Sequence, residues 1–229
     1  MTRRLLVFAR APLAGSVKTR LVPPLTPEQA VRVHIAALRD TVSRAARAVT
    51  DTALEVWAGG NGAEAAERIA ALVPGRTVRR QGEGDLGARL AGAFAVAFES
   101  GGDRVAVLGS DHPTLPAAHI AAAFDALDVA DAALGPSDDG GYYAVALRRA
   151  SWPRARALFD RIPWSSPDVL KTTRDRARGV ALSVADLPAW YDVDDVNDLE
   201  RAFRDAEPGS DLARLLDEPD FAAFRPAQA

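Results

Sequence analysis

Five short stretches of this chain carry side chains that can do chemistry, and most of them follow an apolar run of strand length. In "VAVLGSDHPTLP" the residues Val105 to Leu108 are all apolar and lead to Asp111. A carboxylate delivered by a fully apolar strand to a sheet edge is costly unless it has work to do, and holding a hard cation such as Mg²⁺ is the usual work. His112 beside it has no second His or Cys at ligand spacing, which excludes a zinc site, so it reads as a loop residue or a phosphate neighbour. In "WYDVDDVNDLE", Asp195 is the expected cap of a following helix, and either Asp192 or Asp194 can complete a metal site with Asp111.

The stretch "FARAPLAGSVKTRL", Phe8 to Leu21, places Arg10, Gly15, Lys18 and Arg20 directly after the first apolar run. Pro12 and the spacing of Gly15 to Lys18 rule out a P-loop. The loop can still wrap a base with backbone groups while Lys18 and Arg20 reach phosphates, or it is a solvated basic turn. Of 28 basic residues only Lys18 and Lys171 are lysines, and Lys18 sits inside this loop. A compact ammonium there is not interchangeable with a guanidinium fork. In "QGEGDLGARL", Gly82, Gly84 and Gly87 flank Asp85 just before a helix. Asp85 can accept from a ribose hydroxyl or a base, or serve only as the helix N-cap. In "LGPSDDGGYYAVAL", Asp138 and Asp139 precede two glycines. Asp-Gly is a hairpin dipeptide, and the same residues can place a carboxylate over an acceptor.

The elements that must position these loops alternate. Strands are predicted at 5–9, 52–58, 77–81, 104–109, 131–136, 142–147 and 180–184. Helices are predicted at 26–48, 63–73, 86–100, 117–127, 154–160, 168–177 and 195–206. The long helix has Thr26 as cap, Pro27 in its first turn and Gln29 completing a capping box, with Ala30, Val33, Ala37, Leu38 and Thr41 along its inner face. Leu86, Leu90, Phe94 and Phe98 recur by four in another. This alternation predicts an α/β fold, a mostly parallel sheet with helices on both faces, whose ligands bind beyond the carboxyl ends of the strands. One domain is expected over 1–207, with 208–229 as a tail holding a short surface helix and a frayed end.

The 229 residues are 48% hydrophobic and 26% charged with a net charge of −3, as in globular proteins and without the basic footprint of a nucleic-acid binder. Zero cysteines exclude disulfides and fit a reducing cytoplasm. No apolar stretch spans a membrane, and the N-terminal apolar run is too short for a signal peptide. A homodimer is compatible with the sequence, although no patch marks an interface.

Phe8–Leu21, Gln81–Leu90, Gly109–Pro113, Gly135–Leu147 and Asp192–Leu199 occur in order along nearly the whole chain. Together they resemble the bacterial glycosyltransferase-like family associated with arsenosugar biosynthesis, nucleotide-diphospho-sugar transferases of GT-A fold. Lys18–Leu21 and Leu25–Glu28 also resemble 2-phospho-L-lactate guanylyltransferase. Asp192–Leu199 resembles a pattern of molybdenum-cofactor nucleotidyltransferases, with Asp194 as its second Asp. GT-A glycosyltransferases commonly carry Asp-x-Asp at the metal; here Pro113 stands at the third position, closer to nucleotidyltransferases.

The resemblance implies a divalent cation, Mg²⁺ or Mn²⁺, on Asp111, with Asp194 as the candidate second ligand. It implies a nucleotide or nucleotide-sugar donor faced by Arg10 and Lys18, with Asp85 near base or ribose, and a small-molecule acceptor; the reading of the loops adds Gly15, Arg20 and Gly87 to the nucleotide-binding candidates. Glycosyl transfer is the expected reaction, with Lys18 stabilising the leaving group and Asp139 as base. Nucleotidyl transfer with release of pyrophosphate is the alternative, and a non-catalytic nucleotide sensor is a third reading that the presence of Asp111 disfavours. Trp164 is expected to be a buried aromatic or to line the acceptor site.

Overall fold

The computed structural model describes residues 1–60 and 63–225. Among these, one sheet holds seven strands: β1 (Arg3–Arg10), β2 (Thr52–Gly59), β3 (Thr77–Arg80), β4 (Arg104–Gly109), β5 (Ala132–Pro136), β6 (Tyr142–Arg148) and β7 (Val184–Asp186). Their order is β3-β2-β1-β4-β6-β5-β7. β6 runs antiparallel to both β4 and β5, and every other pairing is parallel. The helices are α1 (Pro27–Ala48), α2 (Ala63–Leu72), α3 (Leu86–Glu99), α4 (Ala117–Asp125), α5 (Trp152–Ala155), α6 (Val169–Gly179), α7 (Val196–Asp205) and α8 (Asp211–Leu216).

Strand alternation divides the core into two layers. Leu5 and Val7 of β1 join Leu38, Ile69, Ile120 and Phe124 from α1, α2 and α4 on one face. Leu6 and Phe8 join Leu90, Phe94, Phe98 and Ala177 from α3 and α6 on the other. The central strands are therefore apolar on both faces, which is why they read as unbroken runs. α1 begins as its sequence dictates: Gln29 N donates to Thr26 Oγ1 at 3.2 Å and Thr26 N donates to Gln29 Oε1 at 2.7 Å. The five residues expected on its inner face are all buried. Asp195 caps α7 by accepting from Asn197 N and Asp198 N, as expected.

The structure departs from the sequence reading in four places. The last strand is β7, not 180–184: α6 continues to Gly179 and Ala181 takes a left-handed φ of 52° as the chain reverses. The helix expected at 154–160 is α5 followed by a 3₁₀ turn over Arg156–Phe159. Leu86, expected on the inner face of α3, is 42% exposed, while Leu90, Phe94 and Phe98 are buried. The short helix of the tail lies at the surface as expected, but its inner face is core: Leu212 and Leu215, with Phe221 of the following 3₁₀ turn, pack with Leu21, Val33 and Phe203. The Asp40 carboxylate of α1 accepts from Asp211 N and Leu212 N, each at 2.8 Å, and so caps α8 from 171 and 172 residues away. Residues 226–229, where the frayed end was expected, lie outside the described residues. No helix among the described residues is long and apolar enough to cross a membrane.

Candidate active site

β1 and β4 are parallel neighbours, so their exit loops leave the same edge of the sheet. β6 enters the sheet at that edge because it is antiparallel, and β5 leaves there. The segment before α7 is laid across these exits by backbone bonds: Trp190 N to Pro136 O at 3.0 Å and Val193 N to Asp111 O at 3.0 Å. The buried His112 reinforces the same contact. Its Nδ1 lies 3.1 Å from Tyr191 O, and since a carbonyl only accepts, Nδ1 carries the proton. Burial lowers the pKa of His112, which keeps the ring neutral.

A cleft of about 380 Å³ opens at this edge. Arg10, Lys18, Asp111, Asp139, Asp192 and Asp194 all line it. Its centre is an ion triad. Lys18 Nζ lies 2.5 Å from Asp111 Oδ1 and 3.3 Å from Asp194 Oδ1, and the Lys18 side chain is only 4% exposed. Lys18 takes a left-handed backbone conformation, φ 51°, at the start of a 3₁₀ turn over Thr19–Leu21. Burial works against its ammonium, but the two carboxylates hold its pKa above the usual lysine value. The Asp111 side chain is half-buried, with Oδ1 the buried oxygen; burial works against its ionised form, but Lys18 and His34 hold its carboxyl well below the usual carboxylate range. His34 stands on α1 with Nε2 at 3.0 Å from Arg10 O and Nδ1 at 3.8 Å from Asp111 Oδ1.

The four remaining residues expected to bind nucleotide lie outside the cleft lining. Arg20 is 76% exposed, 3.7 Å from Asp194. Gly15 sits in open space with φ 77°. Asp85 caps α3, accepting from Ala88 N at 2.8 Å. Gly87 lies where a Cβ would approach Phe159 O to 2.4 Å, with Trp164 Nε1 at 3.1 Å, so a packing demand by itself accounts for glycine there.

Asp138 and Asp139 diverge. Asp138 pairs with Arg201 at 3.1 Å, whereas Asp139 lines the cleft. Asp139 Oδ1 accepts from Gly141 N at 2.8 Å and from the Ser137 hydroxyl, inside a hairpin turn closed by Ser137 N to Gly141 O at 3.1 Å. The hairpin and the cleft-lining carboxylate are thus both present. Sequence reasoning did not name His34, Ser137 and Tyr142 as lining residues; Ser137 and Tyr142 lie inside the stretch already singled out around Asp139, whereas His34 reaches the edge from α1 and no local pattern marks it. Trp164 lines the cleft.

Asp192, weighed beside Asp194, has its carboxyl pushed up to about 7 by burial and by the neighbouring Asp194 and Asp139. Folded, it keeps its proton to about pH 7; unfolded, it loses it near pH ~4. The folded state therefore binds more protons in this window, and stability falls as pH rises through it. Asp192→Asn is expected to match wild type near pH 4. Without divalent ions at pH 8 it should be more stable by about 1–2 kcal/mol, a figure discounted for solvent screening. Thermal melts from pH 4 to 8 check this; a variant that melts below wild type at pH 8 contradicts it.

The fold and its cleft define the class: this is the α/β fold of the nucleotide-diphospho-sugar transferases. Residues 41–166 match the family described as "Uncharacterized protein conserved in bacteria (DUF2064)", and the chain belongs to that family. It is similar to a protein from Desulfovibrio desulfuricans G20, provisionally named a nucleotide-diphospho-sugar transferase. The two share 32% identity over 98% of this chain and 99% of that one, with a TM-score of 0.86. A cytidylyltransferase from Leptospira borgpetersenii serovar Hardjo-bovis shares the fold at 13% identity and a TM-score of 0.61, over 100% of this chain and 98% of that one. CMP:2-keto-3-deoxy-manno-octonic acid synthetase, solved with CTP, shares it at 13% identity and 0.57, over 88% and 97%. No curated protein sequence matches the chain.

Proposed function

We propose that this protein is a divalent-metal-dependent transferase that moves a glycosyl group from a nucleoside-diphosphate sugar to a hydroxyl of a small molecule. The observation that carries the reading is one cleft holding Arg10 and Lys18 on the β1 side and the carboxylates Asp111, Asp194 and Asp139 beyond them. The site fits a hard cation. Its donors are carboxylate oxygens, and acid is in surplus, as the raised Asp192 carboxyl attests. Among the described residues no three His, Cys, Asp or Glu side chains converge to hold an ion. Mg²⁺ or Mn²⁺ would therefore rest on the pair Asp111 and Asp194, since Mg²⁺ commonly takes one or two protein carboxylates and completes its shell with water and substrate phosphates. A protein of the same fold, Rv0371c from Mycobacterium tuberculosis, was solved in complex with manganese. When bound, the ion would supply Lewis-acid neutralisation of diphosphate charge.

The chain's own groups supply the rest. Lys18 and Arg10 face the diphosphate, and the ammonium stabilises negative charge on the leaving phosphate as the sugar C1–O bond breaks. Asp139 Oδ1 is held by the hairpin, leaving Oδ2 to take the acceptor proton as the new C1–O bond forms.

Nucleotidyl transfer is the second reading. Pro113 at the third position of the metal motif and the fold shared with cytidylyltransferases favour it. There an ionised acceptor phosphate attacks and no base is needed. The products separate the two. With Mg²⁺, nucleoside triphosphates, nucleotide sugars and a pool of acceptors, acceptor-dependent release of a nucleoside diphosphate from a sugar donor is expected. Acceptor-dependent pyrophosphate with no nucleoside diphosphate replaces the first reading by the second.

A further inference from the structure

The cations of the cleft are confined to one side. Strand order runs β1-β4-β6-β5, so Arg10 and Lys18 stand at the β1 end of the edge. The β6 end is lined by Ser137, Asp139, Tyr142, Trp164, Ser165 and Ser166, with Asp192 beside them. Among the described residues lining that half there is no lysine or arginine. Arg201, the guanidinium bound to the neighbouring Asp138, is held there and over the Tyr191 ring at 3.7 Å.

This half is built rigidly. The Trp164 indole is seated against Gly87 and meets the Tyr142 ring edge-on at 6.4 Å and 76°. The loop carrying it is clamped to the β5–β6 hairpin, where a Cβ on Gly140, φ 88°, would come within 2.3 Å of Pro167 O. Leu170 N donates to Gly140 O at 2.9 Å in the same contact. The result is an aromatic wall facing hydroxyls and carboxylates. Serine hydroxyls donate and accept, and carboxylates accept from alcohol O–H groups. An aromatic ring covers the C–H face of a ring or polyol chain. A phosphate or carboxylate in the same place meets no lysine or arginine of that half and faces the Asp139 carboxylate, with its hydration lost.

We propose that the β6 half of the cleft is the acceptor subsite and that it selects an uncharged, hydroxyl-rich acceptor, such as a sugar or polyol, against phosphorylated or carboxylated ones. The assignment rests on the glycosyl-transfer reading, because nucleotidyl transfer to a phosphate would need an anion there.

Matched probes test it: methyl α-glucoside against glucose 6-phosphate, and glycerol against glycerol 3-phosphate. Binding is read by saturation-transfer NMR on the full chain. The neutral member of each pair should bind at least about tenfold more tightly. Trp164→Ala should remove its signal, with Trp164→Phe retaining it as the control for folding. Ser166→Arg, on the loop surface, should shift preference toward the phosphorylated member. Equal or tighter binding of the phosphorylated probes, no binding of either neutral probe, or neutral binding unchanged in Trp164→Ala each overturns the proposal. Calorimetry with nucleoside diphosphates and Mg²⁺ runs alongside. Nucleotide binding together with a preference for phosphorylated probes sinks the acceptor assignment and leaves a nucleotide-dependent transferase. Absence of nucleotide binding with Trp164-dependent binding of neutral probes sinks the transferase reading, and the acceptor assignment with it, and leaves a binding site for neutral hydroxyl compounds.

Discussion

Asp111→Asn is expected to abolish the divalent dependence of nucleotide binding while the protein still folds. Asn keeps the shape of the side chain and removes the charge that a hard cation needs. Affinity for Mn²⁺ should fall by at least about a hundredfold, since loss of even an outer-shell partner costs 10–100-fold at metal sites. Folding survives because Lys18 retains Asp194 at 3.3 Å, so its ammonium keeps a partner. A stability loss of about 1–3 kcal/mol is expected from the missing charged contact. The pH dependence has a definite sign. Burial raises the Asp111 carboxyl, and Lys18 and His34 more than reverse this, so its folded pKa lies below the unfolded one. The stability it contributes is present above about pH 4 and lost as pH falls through the folded value. The variant should therefore lose less stability on acidification than wild type. Calorimetric titration of nucleotide with and without Mn²⁺ decides the functional part: unchanged affinity and unchanged metal dependence would remove Asp111 from the metal site.

Lys18→Met is expected to weaken binding of nucleoside diphosphates by roughly 1.5–3 kcal/mol, the value of a charge-assisted contact, and to leave nucleoside binding nearly unchanged. The structure adds a second consequence. Lys18 is the cation between Asp111 and Asp194, so Met leaves two neighbouring carboxylates without it. Breaking such a pair from one side costs about 3–5 kcal/mol when fully buried, and less here because both Asp side chains are about 40% exposed. Mn²⁺ should then restore stability more strongly in the variant than in wild type, because it supplies the charge that the ammonium provided. Melting temperatures with and without Mn²⁺ read this directly. Equal loss of nucleoside and diphosphate affinity, with no added stabilisation by Mn²⁺, would show that Lys18 holds the loop and nothing more.

Much of the architecture was legible along the chain. The Thr26–Gln29 capping box, the Asp195 cap and the doubly apolar runs of β1 and β4 are short-range signals, each decided within a turn of helix or a few residues of strand. The packing of the tail was not legible because its partners are distant: Leu212 and Leu215 are buried against Leu21, Val33 and Phe203, and Asp40 of α1 accepts from the first turn of α8. Asp85 and Gly87 show the reverse. Their types suited a ligand loop, and in the fold a cap and a close approach to Phe159 O already account for them. Neither the exposed Arg20 nor Gly15 could be distinguished from Lys18 by spacing, since all three share one loop.

The alternation of strands and helices is written along the chain, and with it the sheet edge at which chemistry-bearing loops had to gather. The sequence also places Arg10, Lys18, Asp111, Asp139 and Asp194 in those loops. Which of these groups face one another follows from the assembled sheet. Lys18 and Asp194 lie 176 residues apart, and no local pattern records their pairing. It arises because Val193 N bonds to Asp111 O, drawing the last acidic motif over the exit of β4. The same long-range pairings set all the cleft cations on the β1 side and left the aromatic, hydroxyl and carboxylate groups on the β6 side. Strand order is a property of hydrogen-bonded neighbours distant in the chain, so that division of charge could be seen only once the sheet was assembled.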